Sequence, residues 1–387
     1  MLAAIFLLFL FFTPLPAEEK HKICLNMIVK NESQVITRCL NSVKPMVDYW
    51  VIVDTGSTDG TQDIIKECMK DMPGELHESP WVNFAHNRNE ALDFARDKAE
   101  YVLIVDADDY LEFDGPVDKE RLTKDAYTLR IFRDSVSFYR TQLISMKRPW
   151  RWEGVLHEYL TCDVPHSSET LEGVVYRTTH EGARSQDPDK YLKDAQLLEA
   201  ALKEEPANTR YVFYLAQSYK DAHIRLKARE CYKKRAEMGG WPEEVYWSLL
   251  QVAHLERDLE YPYEEIINSY FKAFRYRPHR PEAGYYLMGL FRKKGRNDLA
   301  YCIGKAQEAV VEPKKKDILF VQDWIKEYGY MFEMSIAAYW VGAYQESIAL
   351  CDKLLECPTI PQGWKARVET NREFAAAKIG QGTEKCA

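Results

Sequence analysis

Three carboxylates close the hydrophobic run Tyr101-Val-Leu-Ile-Val105: Asp106, Asp108 and Asp109 fall within four residues. Asp106 and Asp108 are two apart, so on an extended chain both project from one side. A carboxylate pair so placed suits a hard divalent cation, which takes oxygen ligands and bridges readily to phosphate. The plainer reading is that Asp-Ala-Asp-Asp ends a strand and caps the segment after it. A second dense stretch is Trp150-Arg-Trp-Glu-Gly-Val-Leu-His-Glu158. Its Glu153, His157 and Glu158 are the side chains that could take a proton from an attacking group. Neighbours on a strand face opposite ways, so His157 and Glu158 are expected to do different things.

These residues need elements to position them. Tyr101 to Val105 has the length and β-branched content of a buried strand. The acids then stand at its carboxyl end, where open α/β sheets bind ligands. Ile23 to Val29 reads as a first strand, and Ser33 to Val43 has helical spacing. Tyr49 to Val53 is a second buried strand, ending at Asp54-Thr-Gly-Ser-Thr-Asp-Gly60, a loop of turn and cap residues. Thr58 or Asp59 is expected to cap a helix over Thr61 to Met69. Next come a short segment at Glu75 to Ser79 and a helix around Asn87 to Lys98. Strand and helix alternating at this spacing predict a parallel α/β sheet. Beyond Leu111 the strand-like stretches are Tyr127 to Arg133, Ser137 to Ile144 and Thr170 to Arg177. The polar stretch His180 to Lys190, with Gly182 and Pro188, sets a domain boundary near residue 186.

The second half reads as helical and loosely repetitive. Tyr211-Val-Phe-Tyr-Leu-Ala216, Val245-Tyr-Trp-Ser-Leu-Leu250 and Ala283-Gly-Tyr-Tyr-Leu-Met288 occupy like places. Pro242 and Pro281 each open a helix, where a missing N–H costs nothing. A fourth unit runs from Phe332 to Leu355. Paired helices at about 34 residues resemble tetratricopeptide repeats with insertions. The aromatic stripe reads as packing between helices, and the concave face of such a solenoid is a natural place to hold a polypeptide.

Length and composition set bounds. The 387 residues suffice for two to three domains, and a net charge of −8 argues against a nucleic-acid-binding surface. Met1 to Ala17 carries eight consecutive apolar residues, Ile5 to Phe12, before Thr-Pro-Leu-Pro-Ala17. That core is too short for a spanning anchor and fits a cleavable signal peptide, implying the secretory pathway or secretion. None of the nine cysteines forms a CxxC pair, so a zinc site is not expected, and Cys24 and Cys39 read as buried free thiols. Asn31-Glu-Ser33 fits the glycosylation acceptor pattern but sits in an expected site loop.

Met27-Ile-Val-Lys-Asn-Glu32, Val51-Ile-Val-Asp-Thr-Gly-Ser-Thr-Asp-Gly-Thr61, His86-Asn-Arg-Asn-Glu-Ala-Leu92 and Val105-Asp-Ala-Asp-Asp109 occur in one order. In that order they resemble glycosyltransferase family 2, with its GT-A, Rossmann-like nucleotide-sugar-binding fold, over about residues 22 to 180. Trp152-Glu-Gly-Val-Leu-His-Glu158 is similar to members with a glycine–x–x–His–Glu motif, some of which carry tetratricopeptide repeats behind the catalytic domain. The domains expected are thus a glycosyltransferase domain over 22–185 and a helical repeat domain over 186–380.

The resemblance implies a metal-dependent transfer of a sugar from a nucleotide-diphosphate sugar to a protein or glycan acceptor, with inversion. Asp54 would meet the base of the nucleotide, Val29 and Glu32 the nucleoside, and Arg88 the diphosphate or base. Asp106 and Asp108 match the aspartate–x–aspartate motif. Asp108 would ligate Mn²⁺ or Mg²⁺, with Asp106 on ribose or a metal-bound water. Either His157 is a further metal ligand with Glu158 on the acceptor side, or Glu153 is the base and Glu158 orients His157. His180 is a further candidate. The competing reading is a repeat-based binding protein with a degenerate nucleotide-sugar domain. A nucleotidyltransferase is disfavoured, because no glycine-rich phosphate loop lies near the first strand.

Overall fold

A computed structural model describes residues 21–384 except 134, 135, 312, 315 and 316. The expected signal peptide and Cys386 lie outside the described residues. The chain divides into two compact units, Met1–Lys190 and Tyr191–Ala387.

The front unit is built on strands β1 (His21–Val29), β2 (Tyr49–Asp54), β3 (Gly74–Glu78) and β4 (Ala99–Ile104), all mutually parallel in the order β3-β2-β1-β4. Alternate residues of β1 serve two cores. Ile23, Leu25, Met27 and Val29 pack on one face of the sheet, while Cys24 joins Val51, Val102 and Ile104 on the other. Both faces are buried, so the strand sequence is an unbroken apolar run. Helices α1 (Ile36–Val43) and α2 (Thr61–Met69) turn Ile36, Leu40, Val43, Ile65 and Met69 into the first core. Helix α3 (Phe84–Ala95) adds Leu92 and Ala95 to the second.

The sheet is mixed rather than parallel throughout. β6 (Ala126–Arg133), β7 (Val136–Ser145), β10 (Ser168–Arg177) and β5 (Tyr110–Phe113) extend it to eight strands, β7 running antiparallel to β4. A separate hairpin pairs β8 (Arg151–Glu153) with β9 (Tyr159–Thr161). Two helix starts differ from expectation. α1 begins at Ile36 and not Ser33, whose N–H is taken by Asp59 Oδ2 at 3.0 Å. α3 begins at Phe84, because Asn83 caps it by accepting the His86 N–H at 2.9 Å. Asp59 does accept from the Thr61 N–H, at 3.1 Å, but the residue at the capping position of α2 is Gly60, at φ 87°.

The second unit is helical. After α4 (Lys190–Glu204) come α5 (Thr209–Asp221), α6 (Arg225–Glu237), α7 (Pro242–Asp258), α8 (Tyr263–Tyr276), α9 (Pro281–Lys293) and α10 (Asn297–Glu308). A π-helical turn at Ile325–Gly329 leads into α11 (Tyr330–Trp340), α12 (Tyr344–Glu356) and α13 (Gln362–Glu384). Consecutive helices pack in pairs, and Pro242 and Pro281 open α7 and α9 as predicted. The buried Arg235 guanidinium donates to Glu244 at 2.8 Å and joins α6 to α7. Among the described residues no helix is long and apolar enough to cross a membrane. All eight described cysteines are free, Cys24 and Cys39 being buried.

Candidate functional site

Two loops at the carboxyl ends of β1 and β2 are stitched together by side chains. Asn31, at φ 58°, accepts the Thr58 N–H at 2.8 Å, and its own N–H goes to Ser57 Oγ at 2.8 Å. The Glu32 N–H donates to Thr61 Oγ1 at 2.9 Å. The Asn31 amide is therefore part of this lattice. Asp54 is buried; its Oδ1 accepts from the N–H groups of Gly56 and Ser57 at 2.8 and 2.7 Å. Its Oδ2 is buried with no partner among the described residues. Such an oxygen costs roughly 1–3 kcal/mol when left unsatisfied, so it is a place where a donor group would be welcome. The Val29 carbonyl is already engaged by the N–H and Oγ1 of Thr55, at 2.9 and 3.0 Å.

The acids after β4 do not lie on an extended chain. The backbone turns there, the Asp109 N–H donating to the Asp106 carbonyl at 3.1 Å. The three carboxylates consequently meet different partners. Asp106 Oδ1 accepts from Arg88 Nη2 at 2.6 Å, Arg140 Nη2 stands 3.8 Å from Oδ2, and the Asp106 N–H donates to Tyr176 Oη at 3.0 Å. Burial pushes the Asp106 carboxyl up, but the two guanidinium groups outweigh it and hold it below its ordinary value. Asp108 has no such partner. Burial, then the charge of Asp106, raises its carboxyl. Asp109 accepts the Thr179 N–H at 2.9 Å, and burial with the charges of Asp106 and Asp108 lifts it to about 7.

Glu32 shares the environment of Asp108. Burial, and then the charges of Asp108, Asp59 and Asp106, push Glu32 up to about 7 against the N–H of Ala183, which donates to Oε2 at 3.2 Å. The chain from Thr179 to Ala183 runs over these acids. A β-carbon on Gly182 would sit 2.7 Å from Asp108 Oδ2, so the close approach requires glycine. His180 is exposed, and its charge acts favourably on Asp108. Thr179 Oγ1 and Arg38 Nη2 both donate to the Asp108 carbonyl, at 2.9 and 2.8 Å.

Arg88, on the first turns of α3, joins the two expected clusters. Besides Asp106 it donates from Nε to Glu158 Oε1 at 2.7 Å, and its guanidinium lies 5.0 Å over the Trp152 ring. His157 and Glu158 are not on a strand. They belong to the loop between β8 and β9, which Gly154 enters at φ 104° and His157 continues at φ 52°. The loop, not strand alternation, separates them: Glu158 turns in to Arg88, and His157 is exposed. Glu153 faces the hairpin itself, accepting from Arg151 Nη2 at 2.6 Å and from the Tyr159 hydroxyl at 2.7 Å.

The fold thus brings Glu32, Arg88, Asp106, Asp108 and Glu158 into one electrostatic network, with the orphaned oxygen of Asp54 at the end of the neighbouring strand β2. Among the described residues no three His, Cys, Asp or Glu side chains come together to hold a metal ion. Glu32 and Asp108 are nonetheless two half-buried carboxylates, both raised by burial and then by neighbouring charge, Asp108 acting on Glu32 and Asp106 on Asp108. That donor set fits Mg²⁺ or Mn²⁺, which bind through one or two carboxylates and substrate phosphates. Sequence reasoning missed Arg140, Tyr176, Trp152 and Thr179. Arg140 reaches Asp106 from β7, antiparallel to β4, and Tyr176 from β10, parallel to β6, and no local pattern announces that meeting.

The family model for glycosyl transferase family 2 matches residues 24–116. The glycosyltransferase SunS of Bacillus subtilis, prophage-derived, is 27% identical over 221 residues, covering 53% of this chain and 50% of that protein. An uncharacterized glycosyltransferase of Rickettsia felis is 26% identical over 229 residues, covering 57% of this chain and 77% of its own length. Among solved structures, YrrB, a TPR protein with an unusual peptide-binding site, aligns with TM-score 0.37 and 14% identity, over 48% of this chain and 85% of that one. The chain spans half the length of SunS. Residues 24–116, which hold Glu32, Asp54, Arg88, Asp106 and Asp108, are a glycosyl transferase family 2 domain.

Proposed function

We propose that this chain transfers a sugar from a nucleotide-diphosphate sugar to a protein or glycan acceptor, with inversion, in the secretory pathway. The observation that carries the reading is the charge pattern at the strand ends. One guanidinium is shared by Asp106 and Glu158, and a second stands near Asp106, while Glu32 and Asp108 are left short of positive charge. A protein built only to fold would gain by replacing such a carboxylate pair, so the arrangement reads as poised for a ligand that brings charge.

In this reading Asp54 receives the base of the nucleotide on its unpartnered oxygen. Asp108 holds a divalent cation, with Glu32 beside it, and the donor's phosphates complete the shell. When bound, that cation supplies positive charge to offset the departing diphosphate. Arg88 fixes Asp106 and Glu158 in one geometry. Glu158 gives Oε1 to Arg88, and Oε2 makes no hydrogen bond among the described residues. That oxygen is the acceptor of the proton released as the incoming hydroxyl attacks. Glu153, tied to Arg151 and Tyr159, and His157, exposed on the loop, are the second choices for that step.

The competing reading, a binding protein with a degenerate site, keeps the same fold but needs no donor. Calorimetric titration with UDP and with GDP, with and without Mn²⁺, separates them. The proposal expects one nucleoside diphosphate to bind at least tenfold tighter with the ion present. No metal-dependent binding of either would overturn the enzyme reading in this form.

A further inference from the structure

Residues 317–322, between α10 and the π-helical turn, are non-helical and lie against α7, the start of α9 and Phe213 of α5. The contacts are of an unusual kind for a loop. Glu243 Oε2 accepts the N–H groups of both Ile318 and Leu319, each at 2.7 Å. Arg280 donates to the carbonyls of Leu319 and Phe320 at 3.1 and 3.3 Å. Glu282 Oε1 accepts the Gln322 N–H at 3.2 Å. Arg280, Glu243 and Glu282 are themselves buried, at 2%, 6% and 0% exposure.

Asp317 is the deeply buried side chain of the segment, at 4% exposure, whereas Phe320 is 42% exposed. Asp317 receives Arg277, with His279 and Arg280 each at 3.4 Å. The Phe320 ring lies 4.8 Å from that of Trp247 and 6.4 Å from that of Phe213. Ile318 remains 76% exposed. A core loop would bury its apolar side chains and satisfy its own backbone. Here buried charged side chains of the helices read the backbone, while Ile318 and much of the Phe320 ring stay in water. This is how a groove holds a polypeptide ligand.

The groove continues past the segment. Tyr286 donates to Gln322 Oε1 at 3.3 Å and also lines a cavity of about 530 Å³ with Lys220, Arg225, Gln251, His254 and Arg257. Gln251 is only 5% exposed and lines this cavity.

We infer that residues 317–322 are a tethered pseudo-ligand, occupying part of a groove whose partner is a polypeptide segment with an acidic residue followed three positions later by an aromatic one. The cis segment supplies the pattern, Asp317-Ile-Leu-Phe320, and the free partner displaces it. The adjoining cavity takes the next residues of the partner, hydrogen-bonded by Gln251. This deepens the acceptor half of the proposed function. Its test uses no sugar donor, so peptide binding and sugar transfer fail separately.

A fluorescent peptide with the sequence of residues 314–323 is titrated onto the full chain and onto a full-length variant with 317–322 replaced by glycine and serine. The variant is expected to bind at least tenfold tighter than the parent, and adding Arg280→Ala to it is expected to remove that gain. A folded variant that binds no tighter overturns the inference. Should the variant fail to fold, native-state hydrogen exchange of the unaltered chain decides. The amides of Ile318, Leu319 and Gln322 are expected to open while α7 and α9 stay protected. Exchange of those amides only together with α7 and α9 would make the segment a fixed part of the fold and sink the proposal.

Discussion

At Arg88 two carboxylates share one guanidinium, at 2.6 and 2.7 Å, with 12% of the Arg88 side chain exposed. Removing one member of such a set leaves buried charge without compensation, which typically costs 3–5 kcal/mol. Asp106 retains Arg140 at 3.8 Å and is 31% exposed, which places Arg88→Met at the lower end, about 3 kcal/mol. Urea unfolding of the front unit measures it, and a loss under about 0.5 kcal/mol would mean that the pair is as weak as a surface one. Asp108 is the opposite case. Its neighbours raise its carboxyl, so its charge opposes folding. Asp108→Ala is expected to leave the front unit folded and no less stable, while transfer falls roughly a thousandfold, about 4 kcal/mol of barrier. Near-normal turnover in that variant would remove Asp108 from the mechanism.

Besides the Arg88–Glu158 pair, Asn89 holds helix α3 in register with the β8–β9 hairpin. Asn89 donates to the Trp152 carbonyl at 2.9 Å and accepts the Trp152 N–H at 2.8 Å, imitating a strand neighbour. The hairpin in turn keeps Trp152 against Arg88 and delivers Glu158. Asn89→Ala should cost about 1–3 kcal/mol for the two lost bonds, and the Trp152 amide should exchange with solvent at least tenfold faster. Unchanged exchange would show that the loop is held by other contacts. This joint also marks what the sequence could convey. β1, β2 and β4 are apolar runs buried on both faces, and composition alone identifies them. β5, β8 and β9 are three or four residues long, too short for any period to register. Reading Trp152 to Glu158 as strand places His157 and Glu158 back to back. Gly154, inside that stretch, is the signal for a turn, and its φ of 104° is what ends β8. Likewise Asp-Ala-Asp-Asp is legible as an acidic strand end, but not that Arg88 and Arg140 take Asp106 and leave the Asp108 carboxylate without either. That partition depends on which strands neighbour β4 and β10.

The two units are expected to respond to acid in opposite directions. In the helical unit His254 is enclosed by Tyr270, at 2.6 Å from its Nδ1, and the Tyr286 ring, at 4.5 Å between centroids. Burial, then the charge of Arg257, pushes its imidazole down to about 3. The unfolded chain takes up that proton near 6.5, so the native state is fully favoured above 6.5. Its advantage is lost as pH falls from 6.5 towards 3, by about 1.4 kcal/mol per unit. In the front unit Glu32 and Asp109 are lifted to about 7. Their folded form binds the proton first, so their contribution is present below the unfolded values near 4 and is lost as pH rises through 7. Between pH 7 and 5.5, therefore, the front unit is expected to gain stability while the helical unit loses it. Two compact units permit two transitions, which a single melting temperature would conceal. Differential scanning calorimetry across that window should show one transition rising and one falling. His254→Phe should flatten the falling one without touching the other. A wild-type scan in which both transitions move together, or a falling transition indifferent to His254→Phe, would show that the protons are bound elsewhere.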